Sequence, residues 1–152
     1  MKHRERTNLR FCAGAEEIPT VPGAYLLSID LAKPIRVVRA TAAILKPGRY
    51  LYAGSAYGPG GLRARIFRHM RRAKSCRWHI DQITRVADVS GARILPHGNE
   101  CDLVEQYPEM PVPTPHFGSS DCRHCRSHLL GPPAQREARF VQPPISRLST
   151  DP

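Results

Sequence analysis

The sequence predicts a mixed α/β domain of the α+β kind, with a small, mostly antiparallel sheet of three to four strands and helices packed beside it. Three observations lead there. Segments of alternating, β-branched or aromatic character recur at 24–30, 35–45, 49–55 and 86–95, bounded by turn residues as strands usually are. Stretches at 62–74, 78–86 and 99–107 suit helices, the first with apolar residues at a helical spacing. At 152 residues the chain has the length for one domain with a real core.

Taken in order, residues 1–20 are charged and without periodicity, which predicts a flexible basic arm. A domain spanning 21–130 follows. Its first strand is Ala24 to Asp30, and 35–45 is the second, with Val37 and Val38 suited to a pleated surface. Lys46-Pro47-Gly48 supplies a turn into an aromatic-rich third strand, so the three predict an antiparallel meander. Gly58-Pro59-Gly60-Gly61 breaks the chain before a basic helix. There Leu62, Ile66 and Met70 recur every fourth residue as a buried stripe, and Arg65 and His69 share a neighbouring face. A short helix at 78–86, a strand at 86–95 weakened by Gly91, and a helix at 99–107 with Asn99 as N-cap complete the regular elements. A Pro-rich loop and a compact segment at 117–130 precede a Pro-rich tail at 131–152, expected to be flexible.

The charge balance narrows the partners. Lys and Arg number 23 against 13 acidic residues, for a net charge of +10, which favours a polyanion, nucleic acid before anionic membrane. A basic surface without a partner is the plain alternative. Arg63, Arg68, Arg71, Arg72 and Lys74 on the helix, with Arg77 after it, are the residues expected to track a phosphate backbone. The apolar stripe of their helix is narrow and needed by the core, which argues against a membrane surface. No apolar run follows the basic N-terminus, and no segment approaches bilayer length, so the expected location is the cytoplasm. There, five cysteines are better explained as reduced thiols or metal ligands than as disulfides. Cys122-x-x-Cys125-x-x-His128, with Cys101 upstream, has ligand types and spacing that a structural Zn²⁺ can use. Buried reduced thiols are the alternative, and His124 competes for the imidazole position.

Gly23-Ala24-Tyr25 and Tyr52-Ala53-Gly54-Ser55 on two strands, then Leu62-x-x-Arg65-Ile66-x-x-His69 on a helix, then Glu100 at the start of a later helix, form an ordered pattern. It resembles the GIY-YIG nuclease superfamily from about Gly23 to Tyr107. Trp-His-Ile-Asp (78–81), Glu-Cys (100–101) and Ser-Asp-Cys (120–122) are similar to a small single-domain branch of uncharacterised proteins. The second motif departs in reading Tyr-Ala-Gly, and the loop from Gly54 to Leu62 is longer than usual in the family.

The resemblance implies a GIY-YIG-like fold and a metal-dependent endonuclease acting on DNA, branched or damaged forms among its candidate substrates. It implies catalytic roles for Tyr25, Tyr52, Arg65, His69 and Glu100, with Glu100 holding one Mg²⁺ or Mn²⁺, and accessory roles for Ser55 and His79. Tyr52 would help activate the attacking water, Arg65 would clamp phosphate oxygens, and His69 would position the water or relay its proton. Each residue taken singly has an ordinary reading: strand packing for the tyrosines, a basic helix face for Arg65, a satisfied core position for His69, and a first-turn dipole partner for Glu100. His79 has local capping as its alternative. The rival functions are an inactive nucleic-acid-binding module and a small zinc-stabilised interaction domain.

Overall fold

The alternation along 23–31 decides the architecture, because both of its faces are buried. Tyr25, Leu27, Ile29 and Leu31 point into one core, and Ala24 and Leu26 into a second, smaller one. A strand apolar on both faces must lie inside its sheet with cover on either side. The computed structural model describes residues 10–12, 17–38, 42–119 and 122–133, and in it this strand is central.

The strands are β1 (Arg10–Cys12), β2 (Gly23–Leu31), β3 (Ile35–Val37), β4 (Ala43–Leu45), β5 (Gly48–Ser55), β6 (Asp88–Pro96) and β7 (Leu129–Leu130), and the helices are α1 (Gly61–Met70), α2 (Asp81–Thr84) and α3 (Glu100–Val104). Five strands form one antiparallel sheet in the order β1-β6-β2-β5-β7, and β3 and β4 form a separate hairpin. The mixed α/β class and antiparallel pairing are as the sequence predicts. The large core joins β2, β5 and β6 to Leu62 and Ile66 of α1 and to Ile80 and Ile83 around α2. On the opposite face α3 packs against β2 and β5, with Leu103 on Ala24, Leu26 and Ala53. Among the described residues, no helix is long and apolar enough to cross a membrane.

Several elements differ from expectation. The stretch 35–45 is not a sheet strand. Its apolar ends pair with each other as β3 and β4, and β2 pairs directly with β5 in place of a meander. The basic helix ends at Met70, not at 74, because Arg71 is extended, and the Lys74 ammonium returns to donate to the last-turn carbonyls of Arg68 and His69. The helix expected at 78–86 shrinks to the single turn of α2, and the one at 99–107 to α3, which Asn99 caps as expected through its side-chain oxygen on Cys101 N, 2.8 Å away. Near Gly91 the register of β2 against β6 shifts between Ser28 and Ile29, so the glycine expected to weaken β6 marks a bulge. Within the expected arm, Arg10–Cys12 pairs with β6 and Ile18 is buried. The remainder of the arm (1–9 and 13–16), Ser120, Asp121 and the tail beyond 133 lie outside the described residues.

Candidate functional site

The two glycines of the paired strand motifs are explained by close approach. A Cβ on Gly23 would lie 2.5 Å from the Leu95 carbonyl oxygen of the neighbouring strand. Gly54 stands directly opposite Tyr25, and a Cβ there would fall on the Tyr25 phenol oxygen. Gly54 therefore makes room for the Tyr25 ring to lie across β5 and reach α1. There its oxygen is 2.7 Å from Nε2 of His69, a residue 1% exposed.

His69 sits at the centre of an aromatic cluster. Its ring centre is 5.4 Å from that of Tyr25, 6.4 Å from that of Tyr52 and 6.1 Å from that of Trp78. Burial lowers its pKa to about 3, helped by the Lys74 ammonium and opposed by Asp81, so the imidazole is neutral at neutral pH. Burial raises the Tyr52 phenol to about 12, against the pull of the Arg65 guanidinium and with Asp81 and Glu100 adding to the rise. Tyr25 is raised well above its ordinary value, again first by burial. Both tyrosines are therefore protonated phenols in this state. Arg65, one turn before His69 on α1, places its guanidinium carbon 4.2 Å from the Trp78 ring centre.

One cleft of about 750 Å³ brings Tyr25, Tyr52, Arg65, His69 and Glu100 together, with Ser55 and His79 on its walls. Residues as far apart as 25 and 100 thus face one space. Among the described lining residues Glu100 is the only carboxylate, and Arg65, Arg77 and Arg123 supply guanidinium groups. Arg123 was not singled out in the sequence. The signal lay in its position inside Cys122-x-x-Cys125, once Cys101 ties that segment to Glu100.

The helix residues expected to follow a phosphate backbone fare differently, and none of the five lines the cleft. Arg68 is engaged with Asp81 at 2.8 and 3.1 Å, Arg72 is paired with Asp88, and Lys74 caps α1. Arg68, Arg72 and Lys74 are thus engaged within the chain. By position, Arg71 is exposed and Arg63 is half-buried. The basic character facing the cleft comes from Arg65 and from the loops carrying Arg77 and Arg123.

In the wall of the cleft, which Cys101, Cys122 and His128 line, the ligand atoms of Cys101, Cys122, Cys125 and His128 lie within 4.8 Å of one another, an arrangement that can hold a metal ion. Four donors placed tetrahedrally at about 2.3 Å from one ion would lie roughly 3.8 Å apart, so little movement is needed. Two details favour a metal over inert thiols. Cys122 Sγ accepts from the backbone N–H of His124 and Cys125, at 3.4 and 3.3 Å, which lowers that thiol's pKa, whereas burial raises those of Cys101 and Cys125. His128 makes a backbone hydrogen bond to Gly118, and its Nε2 is buried without a hydrogen-bond partner among the described residues. A ligating histidine is expected to have one ring nitrogen held and the other free.

Fold and site together define a small α+β domain with a tyrosine- and arginine-lined cleft, into whose wall a Cys₃His cluster able to hold a metal ion is built. The chain belongs to the family described as Domain of unknown function DUF123, which matches residues 24–148. No curated protein and no solved structure matches it.

Proposed function

We propose that this protein is a metal-dependent endonuclease that hydrolyses phosphodiester bonds in DNA, with a structural Zn²⁺ in the Cys₃His cluster. The supporting observation is the shared cleft. The five residues that the resemblance to GIY-YIG nucleases selects by order and spacing all line it, and the surrounding positive charge suits a phosphate. A reducing cytoplasm suits three cysteine ligands.

Hydrolysis needs a positioned water, charge stabilisation at phosphorus and a proton for the leaving oxygen. Arg65 offers a planar fork to two phosphate oxygens. Neutral His69 has one ring nitrogen able to accept a proton, and its 2.7 Å contact with Tyr25 fixes the ring and gives a short relay between phenol and imidazole. Tyr52, a phenol at neutral pH that lines the cleft, can donate a hydrogen bond to a phosphate oxygen or water bound there. Its use as a base depends on positive charge nearby, and Arg65 already pulls in that direction. Glu100 fits a hard cation as a single carboxylate in a cleft with room for waters, a donor set typical of Mg²⁺ or Mn²⁺. Such an ion would supply charge stabilisation at the phosphate and favour ionisation of the attacking group.

The test is incubation of purified protein with plasmid, branched and damaged DNA in Mg²⁺, Mn²⁺ or EDTA. Cleavage should require metal. Glu100→Gln should lose turnover while DNA affinity holds or rises, since carboxylate–phosphate repulsion disappears. Arg65→Ala should abolish cleavage. A wild-type protein that binds DNA yet leaves every substrate intact in both metals would sink the enzyme reading in favour of a nucleic-acid-binding module.

A further inference from the structure

The turn Trp78-His79-Ile80-Asp81 is built with more care than a connection between helices needs. The Asp81 side chain is fully buried and accepts four N–H groups: Arg68 Nη1 at 2.8 Å, Arg68 Nη2 at 3.1 Å, Arg77 N at 2.8 Å and Trp78 N at 2.9 Å. The carboxylate thus fixes both an arginine of α1 and the backbone that presents the indole. The same indole carries two guanidinium groups, with Arg65 at 4.2 Å and Arg68 at 4.3 Å from its ring centre. Trp78 is half-buried and lines the cleft.

We propose that Trp78 and Asp81 are positioning residues for Arg65, an inference that rests on the cleft being the phosphate-binding site. Arginine has a long, mobile side chain, and a bidentate phosphate contact tolerates only small errors in its direction. An aromatic face holds a guanidinium flat without using its N–H donors, so Arg65 stays oriented and remains free to bind phosphate. Asp81 makes that face rigid from behind. It neutralises Arg68, which shares the ring, and pins the backbone N–H of Trp78 itself. Arg68 is therefore part of the support for Arg65.

The experiment is a double-mutant cycle on DNA affinity in EDTA, using a short duplex with wild type, Arg65→Ala, Trp78→Leu and the double variant. Acting through Arg65, Trp78→Leu should weaken binding in wild type and cost nothing further on the Arg65→Ala background. Where cleavage is observed, Trp78→Leu should lower kcat by about 100-fold and raise KM by no more than the factor by which DNA binding weakens, as expected for a misdirected catalytic group. Trp78→Phe should keep activity within about 10-fold of wild type, because a smaller aromatic face remains. Trp78 is the chain's single tryptophan, so its emission should respond to DNA in wild type and not in Arg65→Ala. Multiplying losses in the double variant, or a Phe variant no better than Leu, would overturn the proposal. If Trp78→Leu does not fold, Trp78→Met takes its place in the same cycle, and the emission response of wild type against Arg65→Ala gives an independent reading. Non-additive binding in a protein that cleaves nothing would uphold the positioning role while the nuclease reading falls.

Discussion

Arg68→Ala should destabilise this protein severely, whereas Arg71→Ala, three residues on, should not. Arg68 is 14% exposed and its partner Asp81 is fully buried at the side chain. Removing the guanidinium takes two of the four donors from that carboxylate and leaves the charge without its cation. Breaking a buried pair costs about 3–5 kcal/mol, and the partial exposure of Arg68 lets some water in, which favours a value of about 3 kcal/mol. For a chain of this size that corresponds to a fall in Tm of roughly 6–12 °C. The effect should also depend on pH. Burial alone would raise the Asp81 pKa, but the hydrogen bonds from Arg68 and from the Trp78 and Arg77 backbone outweigh it and hold the pKa below its ordinary value. A carboxylate with a depressed folded pKa stabilises above its unfolded pKa of about 4, and the contribution is lost as pH falls through the folded value. In Arg68→Ala the folded pKa rises, so this acid-labile contribution shrinks. Thermal unfolding followed by circular dichroism from pH 3 to pH 8 measures both effects. A Tm within 2 °C of wild type at pH 7, or an equal loss in Arg71→Ala, would show Arg68 to be only a solvated surface charge.

Other expectations follow from the same geometry. Purified protein should contain about one equivalent of zinc by elemental analysis, and Cys122→Ser or His128→Ala should lose it and lower Tm; metal-free protein of unchanged stability would contradict the cluster's role. His69, with a folded pKa near 3 against about 6.5 unfolded, binds its proton more readily in the unfolded chain, so wild-type stability should decline as pH falls from 6.5 towards 3. A His69→Asn variant should show a flatter decline over that window, and an identical slope would refute the buried neutral imidazole. Gly54→Ala should cost about 1–3 kcal/mol and disturb the Tyr25–His69 contact, because its methyl would fall on the Tyr25 phenol. Unchanged stability and tyrosine spectra would count against that packing.

The parts of the fold legible in the sequence are those whose signal is local. The alternation of β2, the Leu62 and Ile66 stripe and the Asn99 cap each depend on neighbours a few residues apart. Pairing partners are not local. Alternation at 35–45 looks like a sheet strand, yet nothing in those residues says that Ile35 will face Leu45 while β5 passes beside β2. β1 and β7, three and two residues long, are too short for any periodicity. The candidate site residues were legible through motif order, but their setting was not. That Tyr25 reaches His69 depends on the bare Cα of Gly54 across the sheet, and that Arg68 turns inward depends on Asp81, thirteen positions away. On a helix so rich in arginine, the pattern alone makes every cation look solvated.

The short edge strands β1 and β7 have a consequence for anyone who trims this chain. β1 and β7 are the outermost strands of the sheet, and each covers part of a much longer neighbour: β6 has nine residues and β5 has eight. Very short outer strands are one way proteins keep exposed hydrogen-bonding edges from recruiting other chains. A version cut to begin at residue 21 would uncover N–H and C=O groups along β6. One ending before His128 would do the same to β5 and also discard the histidine of the Cys₃His cluster. Such versions should self-associate at concentrations where the parent remains monodisperse, even though every residue of the cleft outside the lost tail is still present.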